Sequence, residues 1–137
     1  MVAEPIWLSA DDVREIHDDQ IAVFGGLPGE KDFGLIESAV HAPVNLYLYQ
    51  GESDVLRLGV HLCHALVRNH GFLDGNKRTA AVAMIEFVAI NGYLLMVPDD
   101  DAEQPILGRW VEAITAGDLS EAQLYARLAG FMRAIAG

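Results

Sequence analysis

The stretch His70-Gly71-Phe72-Leu73-Asp74-Gly75-Asn76-Lys77-Arg78 decides how the chain is read. It separates two apolar helical patterns, residues 54–69 and 77–91. Asn76, Lys77 and Arg78 open the second pattern. Their N–H groups therefore point out of a helix N-terminus, where the dipole favours an anion. Gly75 lets the backbone approach a ligand closely. Arg78 can grip phosphate oxygens in bidentate fashion, and Lys77 acts as a point charge. Asp74 is the kind of oxygen ligand that Mg²⁺ uses when it bridges protein and phosphate. His70 offers an imidazole, a side chain suited to take a proton from an incoming hydroxyl. The nine residues together suit a phosphorylated ligand.

The chain has 137 residues, of which 52% are apolar, enough for a modest core in one domain spanning residues 1–137. Its formal charge is −11, with nine Lys and Arg residues against 20 Asp and Glu. Such a balance speaks against a nucleic-acid surface, which needs a basic face to displace phosphate counterions. It also makes the adjacent cations Lys77 and Arg78 stand out. Cys63 is the single cysteine, so an internal disulfide is ruled out, and a buried hydrophobe is expected there. The start Met1-Val2-Ala3-Glu4-Pro5 lacks the pattern of a signal peptide. The run 79–90 is broken by Glu86 and too short to span a bilayer, so no membrane association is expected and the cytoplasm is the default.

Outward from the central stretch, helical periodicity dominates. A first helix is expected after the N-cap Ser9, with Val13, Ile16, Ile21 and Phe24 facing a core and a stop at Gly25-Gly26. His17 on this helix reads as a partly exposed or capping histidine. Residues 25–32 read as a loop, not a phosphate loop, because the glycines are misplaced and no strand precedes them. A short helix over 33–40 should end before Pro43. Residues 44–51, with Tyr47 and Tyr49 alternating, suggest an irregular or briefly extended piece. Ser53 is the expected cap of the next helix, whose stripe is Val55, Leu58, Leu62, Ala65 and Leu66. His61 and His64 share a face of that helix. Without a zinc-like pattern they read as hydrogen-bonded helix histidines and not metal ligands.

The pattern after the central stretch is apolar on all sides and belongs in the middle of a bundle. Asp99-Asp100-Asp101 reads as a solvated N-terminal cap. An amphipathic helix over 104–116 follows, then a capping box at Ser120–Gln123 and a last helix over 124–135. The expected fold is all-α, a helical bundle around residues 77–91.

The central stretch resembles the signature of the Fic/Doc superfamily, His-x-Phe-x-Asp/Glu/Asn-Gly/Ala-Asn-Gly/Lys-Arg, at His70, Phe72, Asp74, Gly75, Asn76, Lys77 and Arg78. Gly34-Leu35-Ile36-Glu37-Ser38-Ala39 is similar to a segment that borders the active site in Doc-like proteins. Lys31 and Asp32 just before it either overhang the cleft or are solvated loop charges. Many members carry Pro after the signature His; this chain has Gly71. Lys77 matches the death-on-curing (Doc) toxins, whereas Fic AMP-transferases usually have Gly there. The resemblance implies a toxin that moves phosphate from ATP, with Mg²⁺, to a hydroxyl of a translation elongation factor. In that scheme His70 is the base, Asp74 holds the metal with help from Asn76, and Gly75, Asn76, Lys77 and Arg78 bind the phosphates. Phe72 is expected to bury itself and anchor the loop. AMP transfer is the alternative reaction, and a noncatalytic binding or metal-sensing module the alternative class. A segment like the inhibitory helix of Fic enzymes is not found, so the resemblance implies an antitoxin acting in trans.

Overall fold

The computed structural model describes residues 3–98 and 105–135. Six helices run in the order α1 (Ala10–Phe24), α2 (Phe33–Gln50), α3 (Val55–Asn69), α4 (Asn76–Ile90), α5 (Ile106–Ala116) and α6 (Glu121–Ala129). Two three-residue strands, β1 (Tyr93–Leu95) and β2 (Met132–Ala134), complete the described elements. The fold is predominantly α-helical, as the periodicity predicts. Among the described residues no helix is long and apolar enough to cross a membrane.

Helix α4 is the hub. It touches α1, α3, α5 and β1. Thr79, Ala80, Ala83, Met84, Phe87 and Val88 are buried along it. Its small residues let α3 approach closely, and Gly59 of α3 faces Met84, Phe87 and Val88. Trp7, ahead of α1, stacks on Phe87 at 5.8 Å between ring centroids. One cluster of buried side chains draws on all six helices. Each Leu or Phe buried there stabilises the fold by about 1.5–3 kcal/mol. Cys63 lies in this cluster, and burial pushes its thiol up to about 12, which leaves it unreactive.

The local signals at several helix ends hold. Ser9 caps α1 with a reciprocal bond to Asp12, and Ser120 does the same for α6 with Gln123. At the start of α3 the cap is Asp54 and not Ser53: its Oδ1 accepts from the Arg57 amide, while Oδ2 accepts from the Tyr125 hydroxyl. A carboxylate that ties two elements displaces a serine that would cap only one.

Two expectations fail for tertiary reasons. Helix α2 does not stop before Pro43 but runs through it to Gln50, so residues 44–50 are helical and Gly51 alone leaves the helix, as its left-handed cap. An interior proline costs a helix about 3 kcal/mol. Here Pro43 is buried on the same face as Ile36, Ala39 and Val40, and Leu46 and Tyr47 pack onto the core one turn further. Tyr47 meets Trp7 edge-on at 5.7 Å, whereas Tyr49 is exposed. The last helix likewise ends at Ala129 instead of reaching residue 135. The chain turns at Gly130, and β2 pairs antiparallel with β1 in the register Tyr93↔Ala134, Leu94↔Arg133, Leu95↔Met132. The expected capping role of Asp99–Asp101 lies outside the described residues.

Candidate active site

The signature stretch forms the turn between α3 and α4, and its shape follows from three tethers. The first is internal. Asn76, buried at the start of α4, accepts from the Phe72 amide through Oδ1 and donates to the Phe72 carbonyl through Nδ2, both at 3.0 Å. The second comes from the loop before α2. Gly71 carbonyl accepts from the Lys31 and Asp32 amides, the Leu73 amide donates to Gly29, and Glu30 bridges Phe72 in antiparallel fashion. The third comes from α1. His17 Nε2 lies 2.8 Å from the Asp74 carbonyl, and the His17 ring stacks on Phe72. Phe72 is thus buried between elements, as expected of a loop anchor.

His70 ends α3 in the left-handed region, at φ 51 and ψ 51. Among the described residues it is the one non-glycine with positive φ. Such a conformation costs on the order of 1 kcal/mol and persists because the flanking tethers over-determine the turn. It leaves the imidazole exposed at the edge of the cleft.

Gly75 sits at φ 73 and caps α4 without a side chain. The amides of the first turn are therefore open to an anion, as the sequence suggests. Asp74 is exposed beside them. Its Oδ2 accepts from the Leu27 amide at 3.1 Å and its Oδ1 from the Gly75 amide at 2.8 Å. These two amide bonds hold its carboxyl below the usual carboxylate range. It is therefore ionised and suited to Mg²⁺, which takes one or two carboxylates plus phosphate oxygens and water. Among the described residues no group of three or more His, Cys, Asp or Glu forms a metal cage.

Both cations at the start of α4 are held from opposite walls. Lys77 Nζ is 2.9 Å from each carboxylate oxygen of Glu112 on α5. Arg78 donates to the Gly25 carbonyl at 3.0 Å and lies 5.5 Å from the Phe24 ring centroid. All of these residues except Gly25 line a cleft of about 720 Å³ between α1, α4 and α5, which His70, Asp74, Gly75 and Asn76 also line. Phe24, Leu73, Val82 and Leu107 give the cleft an apolar wall.

The structure thus brings every signature residue expected at the site to one cleft, with two changes of emphasis. The Gly75 N–H already donates to Asp74 Oδ1, so Gly75 serves by leaving the first turn of α4 uncapped. The Asn76 amide is committed to Phe72, so its side chain shapes the loop, while its backbone N–H stays in the open first turn. Lys31 and Asp32 do not line the cleft; their backbones tether Gly71, and the Asp32 carboxylate caps α2. His61 and His64 are indeed satisfied: both Nδ1 atoms meet Glu121 at the start of α6.

A profile of the family described as Fic/DOC matches residues 7–88, more than half of the chain. The chain belongs to the Fic/DOC family. Among Fic/DOC proteins it is 33% identical over 113 residues to "Toxin Doc" of Mycolicibacterium smegmatis (strain ATCC 700084 / mc(2)155), covering 81% of this chain and 84% of that protein. It is 32% identical over 85 residues to "Protein kinase doc" of Escherichia phage P1, covering 62% of this chain and 68% of that protein. It is therefore a Doc-like Fic/DOC protein.

Sequence reasoning missed two residues of this Fic/DOC site. His17 is not a partly exposed or capping histidine but 1% exposed and bonded under the loop. A signal was present, because His17 lies one helical turn from Val13 and from Ile21 on the inward stripe. Glu112 carried no local signal, because its partner Lys77 is 35 residues away.

Proposed function

We propose that this Doc-like protein is a toxin that transfers phosphate from ATP to a hydroxyl of a protein target, with a translation elongation factor as the first candidate. The observation that carries the reading is the single cleft in which His70 stands beside the open N-terminus of α4, Asp74, Lys77 and Arg78. Phosphoryl transfer needs positioning, charge neutralisation and a base. His70 takes the proton of the target hydroxyl. The hydroxyl oxygen bonds to the γ-phosphorus, the bond from that phosphorus to the β–γ bridging oxygen breaks, and ADP leaves. The first-turn amides of α4 with Lys77 and Arg78 bind the phosphates, and Asp74 is the residue to hold Mg²⁺. When bound, the ion offsets phosphate charge.

An antitoxin in trans fits the same face. Phe24 is 65% exposed, Leu27 63% and Leu73 48%, all beside the cleft. Exposed apolar surface at a functional cleft suits the apolar face of a docked helix. The cellular setting that goes with this reading is the cytoplasm.

Intact mass of a purified elongation factor, after incubation with the protein, Mg²⁺ and ATP, tests the reading. A phosphate-sized gain is expected, reduced about 100-fold or more in rate by His70→Ala, since a positioned base contributes about 10²–10⁴-fold. An AMP-sized gain would replace phosphate transfer by adenylylation. ATP-dependent labelling of another lysate protein would replace the target. No labelling at all by freshly purified, antitoxin-free protein would overturn the enzymatic reading.

A further inference from the structure

We propose that His17 is a positioning residue for the anion-binding turn, setting the Asp74–Gly75 peptide so that the carboxylate and the α4 amides face the cleft. The inference rests on the phosphotransfer reading for its kinetic consequence, though not for its geometry.

His17 is buried on α1, and its ring lies parallel to Phe72 with centroids 3.8 Å apart and an interplanar angle of 6°. A carbonyl oxygen can only accept, so the 2.8 Å contact with Asp74 places the ring proton on Nε2. The peptide that follows is planar and trans, so its C=O and N–H point in opposite directions. With the Asp74 carbonyl drawn inward to His17, the Gly75 N–H is turned outward, where it donates to Asp74 Oδ1 at 2.8 Å. One inward bond thus fixes both the direction of an amide and the rotamer of a carboxylate.

The support is bilateral. Asn76 grips the Phe72 backbone while His17 covers its ring. Ile21, one turn further along α1, sits under Gly75: a Cβ built there would lie 3.3 Å from Ile21 Cδ1 and 3.7 Å from His17 Cδ2. A buried ring N–H needs a partner, and the partner taken here is a carbonyl of the turn itself. The hydrogen bond to the one carbonyl between Asp74 and the helix N-terminus gives it a further role, because small misplacement of binding groups costs rate steeply.

Two substitutions separate the stack from the bond. His17→Phe keeps an aromatic ring on Phe72 and removes the donor; His17→Gln keeps an N–H close to the Nε2 position and removes the ring. The Gly75 amide is followed by hydrogen exchange in the protein alone, and kcat and the KM for the target protein are measured in the transfer assay. His17→Phe should fold, exchange Gly75 at least about tenfold faster, and lose on the order of tenfold to a hundredfold in kcat with the KM for the target protein unchanged. His17→Gln should restore both readouts to within a few-fold of wild type. Wild-type exchange in His17→Phe, or equal impairment of the two variants, would overturn the proposal. Should His17→Phe not fold, His17→Gln decides alone: wild-type Gly75 exchange supports the positioning role and faster exchange overturns it. If the wild type transfers nothing, the reaction assigned above has failed, and the exchange data still judge His17.

Discussion

Asn76 holds Phe72 by both of its backbone polar groups, accepting from the amide and donating to the carbonyl at 3.0 Å each. A single buried side chain thereby substitutes for a pair of strand-like bonds inside a tight turn. Asn76→Ala leaves a buried donor and a buried acceptor unpaired, each worth about 1–3 kcal/mol. The expected outcome is a loss of about 2–4 kcal/mol in urea unfolding, with activity falling alongside. A variant as stable as wild type would show that the turn is held by α1 and the α2 loop alone.

Gly71 is needed for space. A Cβ at this position would lie 2.8 Å from Ile36 Cγ1 and 3.4 Å from the Asp32 carbonyl, and Ile36 is itself 1% exposed. Gly71→Ala should therefore cost about 1–3 kcal/mol through overpacking. Gly71→Pro, which restores the residue found in many members of the family, should be worse here. A residue before proline is driven towards extended backbone, whereas His70 sits at φ 51, ψ 51. Thermal melting and the transfer assay check both, and a Pro variant with full activity would sink the steric account.

These cases show what was legible beforehand. The signature, most of the helix periodicity, the cap at Ser9 and the capping box at Ser120 are local, and the structure keeps them; Phe24, expected in the core, is instead 65% exposed beside the cleft. The passage of α2 through Pro43 was not local, because burial of that proline against the core offsets its missing bond. Strands β1 and β2 are three residues each and acquire meaning only when they meet. His17 to Asp74 and Glu121 to His61 join residues 57 and 60 apart, which no spacing rule connects.

Glu121 links the start of α6 to α3 through His61 and His64. A carboxylate only accepts, so both rings carry a proton on Nδ1. Burial alone would push the Glu121 carboxyl up; hydrogen bonds and charges from the two histidines more than reverse this and take it from an ordinary 4.5 to about 2. Because the folded value is the lower one, the stabilisation is fully present above pH 4.5 and is lost as pH falls towards 2. After discounting for solvent at a half-buried pair, about 1–2 kcal/mol is expected. Glu121→Gln should lower stability by that amount near pH 6, and the gap to wild type should close by pH 2. A gap independent of pH would show that the contact is steric and not ionic. Transfer activity should be unaffected, because α6 does not line the cleft.

Glu112 decides how available Lys77 is. Its two oxygens are both 2.9 Å from Lys77 Nζ, and both side chains are about half exposed. An ion pair in that setting is worth about 1 kcal/mol or less, which a nucleotide phosphate can displace. Glu112→Gln removes the competitor while keeping the shape of the cleft wall. It also removes a negative charge from a site proposed to receive a polyanion. ATP should therefore bind a few-fold more tightly, and the gain should shrink as ionic strength rises and screening sets in. Lys77→Ala should do the reverse, and the double variant should bind like Lys77→Ala if Glu112 acts only through the lysine. Calorimetric titration of ATP across the four proteins makes the comparison. Weaker binding in Glu112→Gln would mean that this carboxylate meets the Mg²⁺ or the nucleotide directly instead of holding Lys77 in reserve.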